Sequence, residues 1–91
     1  MNVYRIYTEN VIGARFIVLE ELARTGVHGA TLYEATGLWQ GHTEPSLVIE
    51  IISHRSDTFT TDALIANMGE NIRVALKQEA VLIIRQPIVQ I

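Results

Sequence analysis

Residues 29–44 read GATLYEATGLWQGHTE, and residues 46–53 read SLVIEIIS. Side chains in a strand repeat every two residues. In the first stretch Thr31, Tyr33, Ala35, Gly37 and Trp39 therefore share one face. Ala30, Leu32, Glu34, Thr36 and Leu38 share the other. Turn-forming residues then gather from Gly41 to Pro45, which predicts a turn there. The second stretch reads as a strand without alternation. Leu47, Ile49 and Ile51 point one way, Val48 and Ile52 the other, and only Glu50 breaks the run. A strand that is apolar on both sides needs cover on both sides.

Upstream, NVYRIY (residues 2–7) predicts a first strand from Val3, Tyr4, Ile6 and Tyr7. Residues 8–26, TENVIGARFIVLEELARTG, change period. Ile12, Phe16, Leu19 and Ala23 recur at helical spacing, and Val18 and Leu22 widen the stripe. Thr8 or Asn10 is the expected cap, Gly13 a weak point in the first turn, and Gly26 the stop. Downstream, residues 53–78 hold a second helix with a stripe of Leu64 or Ile65, Met68, Ile72 and Leu76. Thr60 or Thr61 is its expected cap, and Gly69 a mild flaw in it. EAVLIIRQ (residues 79–86) predicts a fourth strand. Pro87 is expected to stop regular pairing, with IVQI (residues 88–91) as a short edge strand.

The order is β-α-β-β-α-β. It predicts a single ferredoxin-like domain over residues 1–91, an antiparallel sheet with two helices on one face. Two helices cover one face only. The fourth strand repeats the double apolarity, with Val81 and Ile83 against Leu82 and Ile84. The second face is thus expected to be buried against copies of the chain, as a homo-oligomer.

Composition narrows the chemistry. The chain has 91 residues, no cysteine and a net charge of −3. Disulfides, zinc–thiolate and iron–sulfur sites and cysteine nucleophiles are excluded. Nothing resembles a basic run, so nucleic acid is not an expected partner. No apolar run approaches the length of a membrane helix, and no signal peptide is legible. Membrane insertion is not expected, and the expected location is cytoplasmic. Walker loops, GxGxxG and seryl nucleophile motifs are absent. His28, His42 and His54 do not form a local metal motif, although His42 with Glu44 leaves a divalent-ion site open.

One segment resembles a known family. Gly29, Thr31, Leu32, Glu34 and Gly37, followed by Gly41-His42-Thr43-Glu44, are similar to motifs of the PII signal-transduction family. LARTGVHG (residues 22–29) resembles its helix-to-strand joint, and VIEII (residues 48–52) its third strand, with Glu50 as the glutamate. The resemblance implies a homotrimer with ligand clefts between subunits. An adenine nucleotide is the first ligand it suggests. The chain departs from the family in three places. The long loop between the second and third strands is reduced to a turn. The Gly-rich loop before the fourth strand has no glycine. The basic C-terminal residues are replaced by IVQI. The short turn and Trp39 also resemble the CutA family, which shares the fold and the trimeric assembly.

The ligand-binding candidates are Gly29, Thr31, Glu34, Gly37, Trp39, Gln40 and Glu50. Each has a plainer reading beside it. The glycines suit turns or close backbone contacts. Trp39, on the face of Tyr33, suits core or interface as well as base stacking. Glu34 and Glu50 are mid-strand acids that need a partner, whether an arginine, a backbone amide or a ligand. No catalytic residue is assigned. The expected function is non-enzymatic binding of a small molecule, for sensing or sequestration. The alternatives are a CutA-like metal-associated or structural trimer, and a small ferredoxin-fold enzyme.

Overall fold

The computed structural model describes residues 1–89. The elements are β1 (Asn2–Glu9), α1 (Ala14–Arg24), β2 (Thr31–Trp39), β3 (His42–Ser53), α2 (Thr58–Ala75) and β4 (Leu82–Pro87). The strands form one antiparallel sheet in the order β2-β3-β1-β4. This is the ferredoxin-like arrangement that the element order predicts. Tyr4, Ile6, Leu47, Ile49 and Ile51 form the sheet's half of the core, and Val18, Leu22, Ile65, Met68 and Ile72 the helices' half.

α1 is rotated from the predicted stripe. Ala14, Val18 and Leu22 are its buried residues. Ile12 and Phe16 are 104% and 65% exposed, and Leu19 and Ala23 also face outward. The helix is apolar on more than one side, so spacing alone did not select the face that meets the sheet. Its entry decides the rotation. Gly13 adopts φ 85° as the N-cap, with no side-chain cap. Ala14 N–H donates to the Val11 carbonyl at 3.0 Å. Gly13 is thus the hinge into the helix, a conformation that favours glycine. Thr8, one predicted cap, is a buried residue of β1. Gly26 does end the helix, at φ 73°.

α2 follows its predicted stripe but starts earlier. Asp57 is the cap, accepting from the Thr60 backbone N–H at 3.0 Å and its hydroxyl at 2.6 Å. These bonds hold the Asp57 carboxyl below its usual range. Gly69 is no flaw. A Cβ there would lie 2.6 Å from Ile83 Cδ1. The missing side chain lets α2 settle onto β4.

The predicted turn at Gly41–Pro45 is strand. The reversal takes two residues, Gln40 (φ 50°) and Gly41 (φ 80°). Two consecutive positive φ values make a type I′ hairpin turn. Beyond it His42, Thr43, Glu44 and Pro45 pair with Trp39, Leu38, Gly37 and Thr36. Pro45 is tolerated because its carbonyl accepts from Asn10 N–H. Its nitrogen therefore also points toward β1, and that strand ends at Glu9, opposite Ser46. Residues 36–45 project past the sheet as a two-stranded arm, and the molecule measures 37 × 26 × 19 Å.

β4 begins at Leu82, three residues later than predicted, and ends at Pro87, where regular pairing is expected to stop. Pro87 pairs with Asn2, and Ile88 N–H donates to the Met1 carbonyl at 3.0 Å. Pro87 sits on an edge strand, where its missing donor matters least. The predicted edge strand at residues 88–91 is not formed at Ile88 or Val89, and residues 90–91 lie outside the described residues.

The second sheet face is open. Register and alternation place Val3, Arg5 and Tyr7 on it, with Val48, Glu50 and Ile52 beside them. Tyr33 and Trp39 flank one side, and Leu82 and Ile84 the other. Trp39 is 49% exposed and Leu82 59%. The double apolarity of β3 and β4 is therefore real: Val3 and Val48 are buried among their neighbours at the middle of this face, whereas Ile52, Leu82 and Ile84 stay exposed.

Candidate functional site

At one end of the open face lies a cleft of about 410 Å³. The arm forms one wall, with Gly37, Trp39 and Glu44. The end of β1 supplies Tyr7 and Glu9, and the α2–β4 connection closes the far side with Lys77 and Glu79. Leu82 adds apolar surface.

The α2–β4 connection is fixed by one side chain. Gln78 Oε1 accepts from the Thr8 hydroxyl at 2.6 Å and from Glu9 N–H at 3.1 Å. Its Nε2 donates to the Glu9 carbonyl at 3.0 Å, and Arg73 donates to the Gln78 carbonyl at 3.3 Å. Gln78 thus latches the connection onto the end of β1. Lys77, just before it, is held at φ 55°, a left-handed conformation uncommon outside glycine. Across the cleft, a Cβ on Gly37 would lie 2.7 Å from Ser46 Oγ. Gly37 therefore accommodates Ser46 from the neighbouring strand as well as opening the cleft wall.

The seven sequence candidates do not converge within one chain. Gly37 and Trp39 line the cleft. Gln40 forms the hairpin turn beside them. Thr31 and Glu50 pair across the same face, but six residues along β2 from Gly37. That is about 20 Å at the usual strand rise. Glu34 lies on the helix side. Its carboxylate accepts from Asn10 Nδ2 at 3.4 Å and lines a second, shallower hollow of about 400 Å³ with Thr36 and Pro45. Gly29 is in the exposed α1–β2 connection.

Glu50 has the partner its position requires. Arg5 Nε donates to Glu50 Oε2 at 2.8 Å, and Arg5 also donates to Gln86 Oε1 at 3.1 Å. The hydrogen bond from Glu50 raises the Arg5 guanidinium further above its ordinary value. Arg85 is likewise engaged, by Asp62 on α2. Asp62 also accepts from the Tyr4 hydroxyl at 2.6 Å. Burial, followed by that carboxylate, pushes the Tyr4 phenol up to about 12. Among the described residues no three His, Cys, Asp or Glu side chains come together as a metal site. His42 and Glu44 share a strand face without a third donor.

Tyr7, Gln78 and Glu79 went unremarked as site residues in the sequence. Lys77 is one of four cations, with Arg5, Arg55 and Arg85, that the sequence leaves able to approach a cleft without placing them there. Their one legible signal was the interruption between the second helix and the fourth strand. It gave no hint that Gln78 would reach back some seventy residues to Thr8.

No protein-family model matches the sequence, and a search of curated proteins finds no match. Solved structures do share the fold. A phage SAM lyase in its apo state has a TM-score of 0.78 at 23% identity, over 93% of this chain and 78% of that one. A phage SAM lyase in complex with S-methyl-5′-thioadenosine gives 0.75 at 22%, over 93% and 79%. A DUF3240 family protein from Shewanella baltica OS155 gives 0.69 at 16%, over 98% and 90%. CPII, a nitrogen regulatory PII-like protein from Thiomonas intermedia K12 bound to ADP, AMP and bicarbonate, gives 0.59 at 15%, over 93% and 86%. These likenesses establish a common fold, the ferredoxin-like architecture described above.

Proposed function

We propose that the protein binds a small adenosine-type ligand in the cleft beneath the arm. It does so as a homotrimer, in which the open sheet face of one copy helps close the cleft of another. Its role is to sense or sequester that ligand. The observation that carries this reading is the cleft. Trp39 offers a half-exposed aromatic face, Tyr7 lines the same cleft, and the latched connection supplies polar groups. An aromatic platform suits a flat heterocycle. Two of the fold neighbours carry adenosine compounds by their descriptions, S-methyl-5′-thioadenosine in one and ADP with AMP in the other. The open face supports assembly, since a bare apolar surface of this kind marks an interface.

The test is calorimetric titration of S-methyl-5′-thioadenosine, AMP and ADP into the wild-type protein and Trp39→Ala. Oligomeric state is followed by light scattering. Loss of a stacking contact of about 1–3 kcal/mol predicts roughly ten- to a hundredfold weaker binding to Trp39→Ala. Absence of binding below millimolar concentration rejects the ligand reading. A folded wild-type monomer at micromolar concentration rejects the trimer.

A second reading is a lyase acting on S-adenosylmethionine. It is favoured by the carboxylates of Glu9, Glu44 and Glu79, none ion-paired among the described residues, which line the same cleft. Such groups can face a sulfonium or take up a proton. Incubation with S-adenosylmethionine, with chromatography for S-methyl-5′-thioadenosine, separates turnover from binding. Product above the protein-free control establishes the enzyme; intact substrate at saturating protein leaves the binding reading.

A further inference from the structure

We infer that the cleft selects against phosphate, so that its ligand is an adenosine derivative without phosphate, neutral or cationic. This deepens the adenosine reading above and rests on it.

The charges that line the site act mainly in one direction. Glu9, Glu44 and Glu79 line the cleft, against the single cation Lys77. The chain has seven Lys and Arg residues. Arg5, Arg24, Arg73 and Arg85 are each committed to a carboxylate. Neither Arg15 nor Arg55 lines the cleft. A phosphate is ordinarily held by a helix N-terminus, a nest of backbone N–H groups or a cluster of Arg and Lys. Among the described residues none of these is free at the cleft: the N–H groups of Leu76, Lys77 and Gln78 all donate to carbonyls of α2. The first turns of α1 and α2 do not line the cleft. The α2–β4 connection has no glycine, and Gln78 already satisfies the Glu9 backbone there.

The helix that does reach the cleft presents the wrong end for an anion. α2 finishes at Ala75, two residues before Lys77. A helix C-terminus carries partial negative charge. The dipole and the carboxylates therefore act in the same direction. They repel a diphosphate and attract a sulfonium or an ammonium group. The rest of the site tolerates a nucleoside, because Trp39, Tyr7 and Leu82 supply flat and apolar surface.

The experiment compares three probes on the native protein by calorimetry: S-methyl-5′-thioadenosine (neutral), ADP (anionic) and S-adenosylmethionine (net cationic). S-methyl-5′-thioadenosine is expected to bind at least about tenfold tighter than ADP, the size of a few exposed like-charge contacts. Lowering salt from roughly 150 to 15 mM lengthens the screening distance about threefold. ADP should then weaken and S-adenosylmethionine tighten. The double variant Glu44→Gln/Glu79→Gln should move the selectivity ratio toward ADP by about three- to tenfold. The inference is overturned if ADP binds as tightly as S-methyl-5′-thioadenosine, or if its affinity rises as salt falls. In that case the adenosine reading stands and only the charge selection is wrong. If none of the three probes binds, the adenosine reading falls, and this inference falls with it.

Discussion

Ile49 and Ile52 belong to the same strand, three residues apart, and lie in opposite environments. Ile49 is fully buried beneath the helices, while Ile52 is half-exposed on the open face. The same contrast runs along much of the sheet, although Val3 and Val48 at the middle of the open face are buried among their neighbours. On the helix side, Ile6, Leu47 and Ile51 are sealed by Val18, Ile65, Met68 and Ile72. On the open side, Leu82 and Ile84 stand exposed near the Arg5–Glu50 pair, and Trp39 stands exposed on the arm. Residue type alone does not distinguish the two faces. The helix side is a core made by one chain. The open side is an apolar surface with a charged pair at its centre, the surface through which we propose that copies of the chain assemble.

Four experiments break or sharpen this contrast. The largest effect is expected on β3. Ile49→Ala should destabilise the fold by about 2–5 kcal/mol in urea denaturation. Ile52→Ala should cost about 1 kcal/mol or less in the isolated chain, since half of its surface is already in water. With lysine, Ile49→Lys should prevent folding. Ile52→Lys should leave a folded chain and act on assembly, read by light scattering. Equal losses at the two positions would erase the distinction between the faces.

The next largest effect separates two glycines. In Gly69→Val the new side chain meets Ile83 within the packed helix–sheet layer, and the expected loss is about 1–3 kcal/mol. In Gly37→Val it meets the Ser46 hydroxyl, which can rotate away into solvent, so the expected loss is under about 1 kcal/mol. Thermal unfolding of both variants checks the order.

Tyr4→Phe probes the polar rim of the covered side. It removes the hydrogen bond to Asp62 and should cost about 1 kcal/mol. The pH dependence has a definite sign. The Tyr4 phenol is raised from its usual value near 10 to about 12 in the folded chain. Its contribution is therefore complete below about pH 10 and is lost as pH rises toward 12. Wild type should lose stability over that window more steeply than Tyr4→Phe. Parallel curves would mean that the phenol is not held in its neutral form by the fold.

The smallest effect is expected at the tip of the arm. Gln40 occupies a left-handed position that asparagine adopts more readily. Gln40→Asn should gain a few tenths of a kcal/mol, up to about 1 kcal/mol. It should also slow hydrogen exchange across residues 36–45. A loss of stability would argue against the type I′ turn.

The sequence was most legible where one period dominated. The two-residue repeat of β2 and the apolar run of β3, broken only at Glu50, located their strands. Ile65, Met68 and Ile72 located the buried side of α2. It was least legible where several solutions satisfied the same residues. α1 carries apolar residues on more than one side, and Ile12 and Phe16 made a convincing stripe that turned outward. Gly41 to Pro45 looked like a turn because both residue types punctuate chains. The reversal needs only Gln40 and Gly41, and Pro45 fits because β1 stops opposite Ser46. In the site, Gly37 and Trp39 were found from their strand, whereas Tyr7, Lys77 and Glu79 come from distant segments.

By itself, the sequence determined the element order, the fold class and the existence of a second apolar sheet face. These follow from local periodicity, which each segment carries without reference to the others. The tertiary structure decided which side of α1 is buried, that Arg5 neutralises Glu50, and that Gln78 latches the α2–β4 connection against β1 to form the cleft. The last two depend on residues 45 to 70 positions apart meeting at hydrogen-bonding distance. Sequence spacing does not encode such meetings, because strand register and helix rotation set them only when the whole sheet closes.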